Sequence, residues 1–271
     1  MPLITISRNI GCGGAEIARS VAAELDLELY DDQRLQEEAL KMGLHSEDLK
    51  SLDEKAPGLF DRILNRKPEL YFEFTEAVVY KAAKQDSGVI LGHGSQLLLR
   101  DFGCAFHVLI HTNEPARIEN MVNRQGVSRN IAKKLIRRKD NEQKGFFRFA
   151  FQRDWDDPSL YDLIINTEKL GNDLAAKLIT GSARSEDINA CSLTATEAME
   201  RLSGEKKLQA ILLKNEINMS LLHIEVFPDG KAYIGGVAFT KEEKDRITEV
   251  TKDIPGVSDI QTEISLMPQG V

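Results

Sequence analysis

Between its first apolar run and its first helix-like pattern the chain reads Ser7-Arg8-Asn9-Ile10-Gly11-Cys12-Gly13-Gly14-Ala15. Glycines at 11, 13 and 14 let the backbone approach a ligand closely and adopt positive φ without steric cost. Leu3 to Ile6 precede this loop as a buried-strand candidate. Ile17, Ala18, Val21, Ala22 and Leu25 follow it at helical period. Strand, glycine loop and helix in that order gather backbone N–H groups and a helix N-terminus around an anionic phosphate. With Gly13 as the second glycine of G-x-x-x-x-G-K-[ST], Gly14 and Ala15 stand where a lysine and a metal-binding hydroxyl are usual. Arg8 can supply the missing charge, because a guanidinium forks onto phosphate oxygens where a lysine acts as a point charge. The competing reading pairs Arg8 with a carboxylate such as Asp31. A tight turn that merely needs flexible residues is the competing reading of the glycines.

A second set of groups suits the same chemistry. Arg117, Arg124, Arg129, Lys133, Lys134, Arg137, Arg138, Lys139, Arg148 and Arg153 form a basic stretch in an otherwise acidic chain. Phosphoryl transfer needs cations near the migrating group, whose charge spreads over its equatorial oxygens. A charged helix is ordinarily a solvated face, and that is the expectation for Lys133, Lys134 and Lys139. Arg117, Arg137, Arg138 and Arg148 flank a segment that can close as a lid.

The elements that must position these groups alternate. Strand patterns at Leu3–Ser7, Leu27–Asp31, 88–92, 105–110 and 161–166 are separated by helical patterns at 14–25, 32–42, 46–55, 68–84, 114–123, 129–141 and 172–179. Such alternation predicts a parallel α/β sheet of crossover units. After Gly181 a polar, small-residue-rich stretch reads as a linker with some helix. A second unit follows: helix 208–217, strand 221–227, a Pro228-Asp229-Gly230 turn, strand 231–237, helix 241–253 and strand 257–264. Leu222, Ile224 and Val226 alternate with His223, Glu225 and Phe227, the pattern of a sheet with one solvated face. The expected domains are 1–181, a linker over 182–206, and an αββαβ unit over 207–267.

Bulk properties bound the partners. With 43 acidic and 35 basic residues among 271, the formal charge is −8, which argues against a general nucleic-acid binder. No segment has the length of a membrane span, and the N-terminal apolar run is too short for a signal peptide, so the expected location is the cytoplasm. Cys12, Cys104 and Cys191 are odd in number and far apart, which predicts free thiols. His107 and His111 share a strand face without a nearby carboxylate or cysteine, so packing is expected there and no metal site is assigned. Phe146, Phe147, Phe149, Phe151 and Trp155 are expected to pack the lid on the core, with base stacking as the alternative.

Residues 1–180 resemble the cytidylate-kinase-like family of P-loop proteins. The likeness rests on Ile6-Ser7-Arg8, Gly11-Cys12-Gly13-Gly14, Ile17-Ala18 and Tyr30-Asp31. It continues through 89–94, Glu114-Pro115-Ala116-Arg117-Ile118, 155–158 and 161–167. It implies a nucleoside-monophosphate-kinase core, a monophosphate-binding region over about 32–87 and an arginine-bearing lid over about 124–153. It further implies Mg²⁺-ATP held by Ser7, Arg8, Gly11, Cys12, Gly13, Gly14 and Ala15, with Arg8, Arg117, Arg137, Arg138 and Asp140 as catalytic candidates. Two departures remove positive charge: His93 stands within Gly92-His93-Gly94 where G-R-G is common, and Gln143 stands where an arginine follows the lid aspartate. The C-terminal unit resembles a BON domain through Ile234, Gly236, Ala238, Thr240 and Pro255-Gly256-Val257, which implies a small-molecule, lipid or protein partner. Homo-oligomerisation is left open. The expected function is an ATP-dependent phosphotransferase acting on a nucleoside monophosphate such as CMP; the alternative is a nucleotide-binding regulatory protein without turnover.

Overall fold

The computed structural model describes residues 2–42, 68–186, 188, 192–227, 229–252, 254 and 259–267. The helix expected over 46–55 lies outside the described residues. In chain order the first unit comprises β1 (Leu3–Arg8), α1 (Gly14–Leu25), β2 (Leu29–Tyr30), α2 (Asp32–Lys41), α3 (Pro68–Ala83), β3 (Gly88–Leu91), α4 (Ser95–Leu98), β4 (Ala105–His111), α5 (Glu114–Gln125), α6 (Arg129–Phe151), β5 (Leu163–Asn166) and α7 (Thr167–Ala183). The second comprises α8 (Leu193–Lys214), β6 (Leu222–Val226), β7 (Lys231–Ala238), α9 (Lys241–Val250) and β8 (Asp259–Leu266).

The five strands of the first unit pair in the order β2-β3-β1-β4-β5, all in parallel. β1 is central and buried over Leu3 to Ser7, as its unbroken apolar run requires when helices cover both faces. Alternate side chains serve the two cores. Ile4 and Ile6 pack with Ile17, Val21, Ala175 and Ile179 under α1 and α7. Leu3 packs with Phe74, Val78, Leu99 and Met199 on the other face. α2, α5 and α6 each start on a side-chain cap: Asp31 accepts from Arg34 N–H, Asn113 from Ala116 N–H and Ser128 from Ile131 N–H. α1 differs, because its N-cap is Gly13 in the left-handed region and carries no side-chain acceptor.

The parallel sheet with helices on both faces agrees with the expected fold class, and so does the small C-terminal αββαβ sheet. There β6 and β7 are antiparallel while β7 and β8 are parallel across α9. Leu208, Leu212, Ile224, Val226, Ile234, Ile247 and Ile264 form its core. Part of the stretch read as linker is built into α8, which begins at Leu193 behind the Ser192 cap. This helix lies along α3: Ser203 Oγ donates to the Ala77 carbonyl at 2.8 Å, and Lys206 Nζ reaches Glu73 and Glu76 at 3.0 and 2.7 Å. Its other side faces β6, where Gly204 leaves so little room that a Cβ there would lie 2.9 Å from a Val226 methyl.

One expectation fails outright. Cys104 is disulfide-bonded, whereas Cys12 is a free, buried thiol. An odd count is compatible with one pair and one thiol left over, so counting alone could not exclude a bond.

Candidate phosphate-loop site

β1 delivers the glycine loop to the carboxyl edge of the sheet, beside β3 on one flank and β4 on the other. Gly11 and Gly13 take φ of +82° and +86°, conformations that cost a side-chain-bearing residue about 1–2 kcal/mol. Space is equally restrictive. A Cβ at Gly11 would lie 2.9 Å from the Arg117 carbonyl oxygen, and one at Gly13 would run into the Asn172 amide. At Gly14 it would lie 2.6 Å from Arg8 Cβ, so the Arg8 stem crosses the start of α1 at the position a P-loop lysine would leave from. The first-turn N–H groups of α1 have no partner within the helix, and their partial positive charge favours an anion.

Cys12 is turned inward. Its Sγ donates to the Ile110 carbonyl at 3.4 Å, and burial pushes the thiol pKa up despite the nearby Gly14 N–H, Arg8 and Arg117. Ser7 is buried and sits against the Tyr161 hydroxyl, whose pKa burial raises to about 12. Gln96 Nε2 also donates to that hydroxyl, at 3.1 Å.

Among the arginine candidates, the structure brings Arg117 and Asp140 together. Arg117 is 5% exposed; its Nε donates to the Ile10 carbonyl at 2.7 Å, and its two terminal nitrogens hold both Asp140 oxygens at 2.8 and 2.6 Å. Arg137 and Arg138 lie on the exposed side of α6, against Glu114 at 3.5 Å and Glu142 at 2.7 Å. Arg124 pairs with Glu16, Arg129 with Glu119 and Arg148 with Asp154. The basic stretch is therefore laced with carboxylates.

The Gly92-His93-Gly94 segment holds a residue the sequence marked only as a departure. All three take left-handed φ, of +83°, +59° and +70°. His93 is buried, and its Nε2 lies 3.0 Å from Asp32 Oδ1 at the start of α2. Close by, Phe151 at the end of α6 covers Gly94, where a Cβ would come within 2.8 Å of the ring. Phe72 on α3 stacks on Phe146 with centroids 5.5 Å apart, and Phe147 meets Phe151 and Trp155 at 5.5 and 6.5 Å. Phe146, Phe147, Phe151 and Trp155 thus pack α6 onto the core, as expected, whereas Phe149 is 47% exposed.

His107 is likewise packed: its Nδ1 lies 2.7 Å from the Thr5 hydroxyl, and burial lowers its pKa. Among the described residues no group of three or more His, Cys, Asp and Glu side chains is placed to hold a metal. Three residues absent from the sequence-based candidates also touch the loop. Asn120 donates to the Gly11 carbonyl at 2.9 Å, Thr167 to the Cys12 carbonyl at 3.2 Å, and Asn172 lies beside Gly13. Asn120 follows Arg117 by one helical turn, a spacing that places both on one face.

The chain is 24% identical over 178 residues to a cytidylate kinase of Thermoplasma volcanium, covering 65% of this chain and 88% of that protein. It is 27% identical over 171 residues to a cytidylate kinase of Methanocaldococcus jannaschii, covering 62% and 89%. A solved structure of an uncharacterized protein from Eubacterium ventriosum superposes with a TM-score of 0.51 at 20% identity, covering 69% of this chain and all of the other, which shows the fold. The model of the cytidylate kinase-like family matches residues 3–169, which contain every element from β1 to β5, and the chain belongs to that family.

Proposed function

We propose that the protein is an ATP-dependent phosphotransferase whose acceptor is a nucleoside monophosphate such as CMP. The observation that carries this reading is the glycine loop at the end of the central strand, closed to side chains at Gly11, Gly13 and Gly14 and set in a chain of the cytidylate kinase-like family. The loop amides and the start of α1 cradle the donor phosphates, with Ser7, Arg8 and Gly11 to Ala15 as the contact set. Arg8 supplies the charge that Gly14 lacks. Mg²⁺ enters with the nucleotide, held by phosphate oxygens and water; Ala15 offers it no hydroxyl. Catalysis is positioning and charge neutralisation, so no nucleophilic side chain is needed. Arg137 and Arg138 reach the transferring group only by exchanging their carboxylate partners when α6 moves.

That pairing favours a second reading, a nucleotide-binding regulatory protein with little turnover whose output is the C-terminal unit. We read that unit as BON-like from its sequence pattern alone. The test is incubation of wild type and Arg8→Ala with labelled ATP, Mg²⁺ and a panel of nucleoside monophosphates. Transfer to CMP that Arg8→Ala lowers supports the kinase reading. ATP binding without transfer to any acceptor replaces it with the regulatory one.

A further inference from the structure

Three consecutive carbonyls of the glycine loop are each gripped from outside the loop. Arg117 Nε holds Ile10 O at 2.7 Å, Asn120 Nδ2 holds Gly11 O at 2.9 Å, and Thr167 Oγ1 holds Cys12 O at 3.2 Å. The grips come from two sides, α5 supplying the first two and the first residue of α7 the third.

Peptide planarity turns these grips into a statement about the amides. In a trans peptide the carbonyl of one residue and the N–H of the next point in opposite directions. Holding Ile10 O fixes the N–H of Gly11, holding Gly11 O fixes that of Cys12, and holding Cys12 O fixes that of Gly13. The middle N–H closes the turn on Asn9 O at 3.4 Å. The outer two belong to the glycines with φ of +82° and +86°, and each points away from the side chain that grips the carbonyl of its own peptide. Glycines lose the most conformational freedom on ordering, so a loop carrying three of them is the kind of segment that external grips make ready for a ligand.

We propose that Arg117, Asn120 and Thr167 are positioning residues that hold the loop in its phosphate-binding shape, presenting the Gly11 and Gly13 amides to the terminal phosphates of a nucleoside triphosphate. The proposal rests on the reading of the loop as a triphosphate site. Arg117 acts on the phosphates through the Ile10 carbonyl. Its fork on Asp140 ties the same grip to α6. Loop shape and lid position are thereby set by one guanidinium. The Thr167 hydroxyl also lies 3.4 Å from the His111 carbonyl at the end of β4, so its single proton is shared between that carbonyl and the nearer one of Cys12.

The experiment is titration calorimetry of the full chain with Mg²⁺-ATP and with inorganic triphosphate, the second probe isolating phosphate recognition from base and ribose. Thr167→Val removes the hydroxyl at nearly constant shape, Thr167→Ser retains it, and Asn120→Asp replaces the donor by a group that repels the carbonyl. Thr167→Val and Asn120→Asp are each expected to weaken both probes by about tenfold, the equivalent of one net hydrogen bond, and Thr167→Ser to restore wild-type affinity. Melting curves identify any variant that fails to fold, and Asn120→Ala then replaces Asn120→Asp. In turnover assays the KM for ATP rises while that for the acceptor holds. Wild-type affinity of the folded variants for both probes overturns the positioning role and leaves the functional reading intact. A wild type that binds neither probe overturns both.

Discussion

Arg117 and Asp140, 23 positions apart in sequence, meet through two parallel hydrogen bonds of 2.8 and 2.6 Å while the same guanidinium grips the loop carbonyl of Ile10. Such a fork has a fixed plane, so it sets an orientation as well as a distance. Arg117 is buried, whereas the Asp140 side chain is about one-third exposed.

Removing the carboxylate leaves that buried cation without its main partner. Asp140→Asn is expected to cost about 2–3 kcal/mol, less than a fully buried pair because water reaches Asp140. Urea denaturation measures the loss. Asp140→Glu is expected to recover part of it.

Gly13 tests the loop from its other side. Gly13→Ala would set a methyl group at φ +86° against the Asn172 amide. The backbone strain alone is about 1–2 kcal/mol, and relief requires Asn172 to swing away. Lower stability and weaker ATP binding are expected together, with the melting temperature and ATP titration as readouts. Gly13→Ala combined with Asn172→Gly is expected to recover stability in part, because the strain at φ +86° persists.

The aromatic cluster holds the base of α6. Phe72→Ala removes the ring that stacks on Phe146 and approaches Phe149 at 5.9 Å and Phe151 at 6.3 Å. A loss of about 2–3 kcal/mol is expected, at the lower end for a phenylalanine truncation since Phe72 is only half-buried. Limited proteolysis is expected to cut within 129–151 faster than in wild type.

His107 carries a pH dependence. Burial lowers its pKa, opposed by Asp162 and aided by Arg100. Below the ordinary histidine value near 6.5 the unfolded chain takes up a proton that the native state resists, so this residue makes stability fall as pH falls through about 6.5. His107→Gln is expected to flatten that acid limb in urea melts compared between pH 7 and pH 5.

Where local pattern and tertiary environment agree, the elements were legible. β1 is an apolar run and α1 a one-sided apolar stripe, and both stand where periodicity puts them. α6 runs ten residues past the expected Asn141, through Gly145 and a phenylalanine-rich segment without helical period, because those rings are fixed by α3 and the sheet edge. α7 was half-read for a local reason: Gly171, at φ +68° and ψ 175°, kinks the element just before the stretch that looked helical. α8 hid its helical stripe because it is packed on two opposite sides, by α3 and by the small sheet, which spreads its apolar residues around the cylinder. In the site, the glycine loop is contiguous and therefore visible. Its braces stand 107, 109 and 155 positions from the carbonyls they hold, and only the folded sheet brings them there.

The continuity of α8 has a mechanical consequence. Its 22 residues make a rod roughly 33 Å long. The end that carries Leu208 and Leu212 is rooted in the small sheet, and the stretch with Met199 and Ser203 is rooted beside α3. Severing the chain at residue 206 would split the rod and uncover apolar surface on both stumps. Left whole, the rod would transmit movement: a tilt of about 5° at one end would carry the other by about 3 Å, on the scale of helix displacements that switch many proteins.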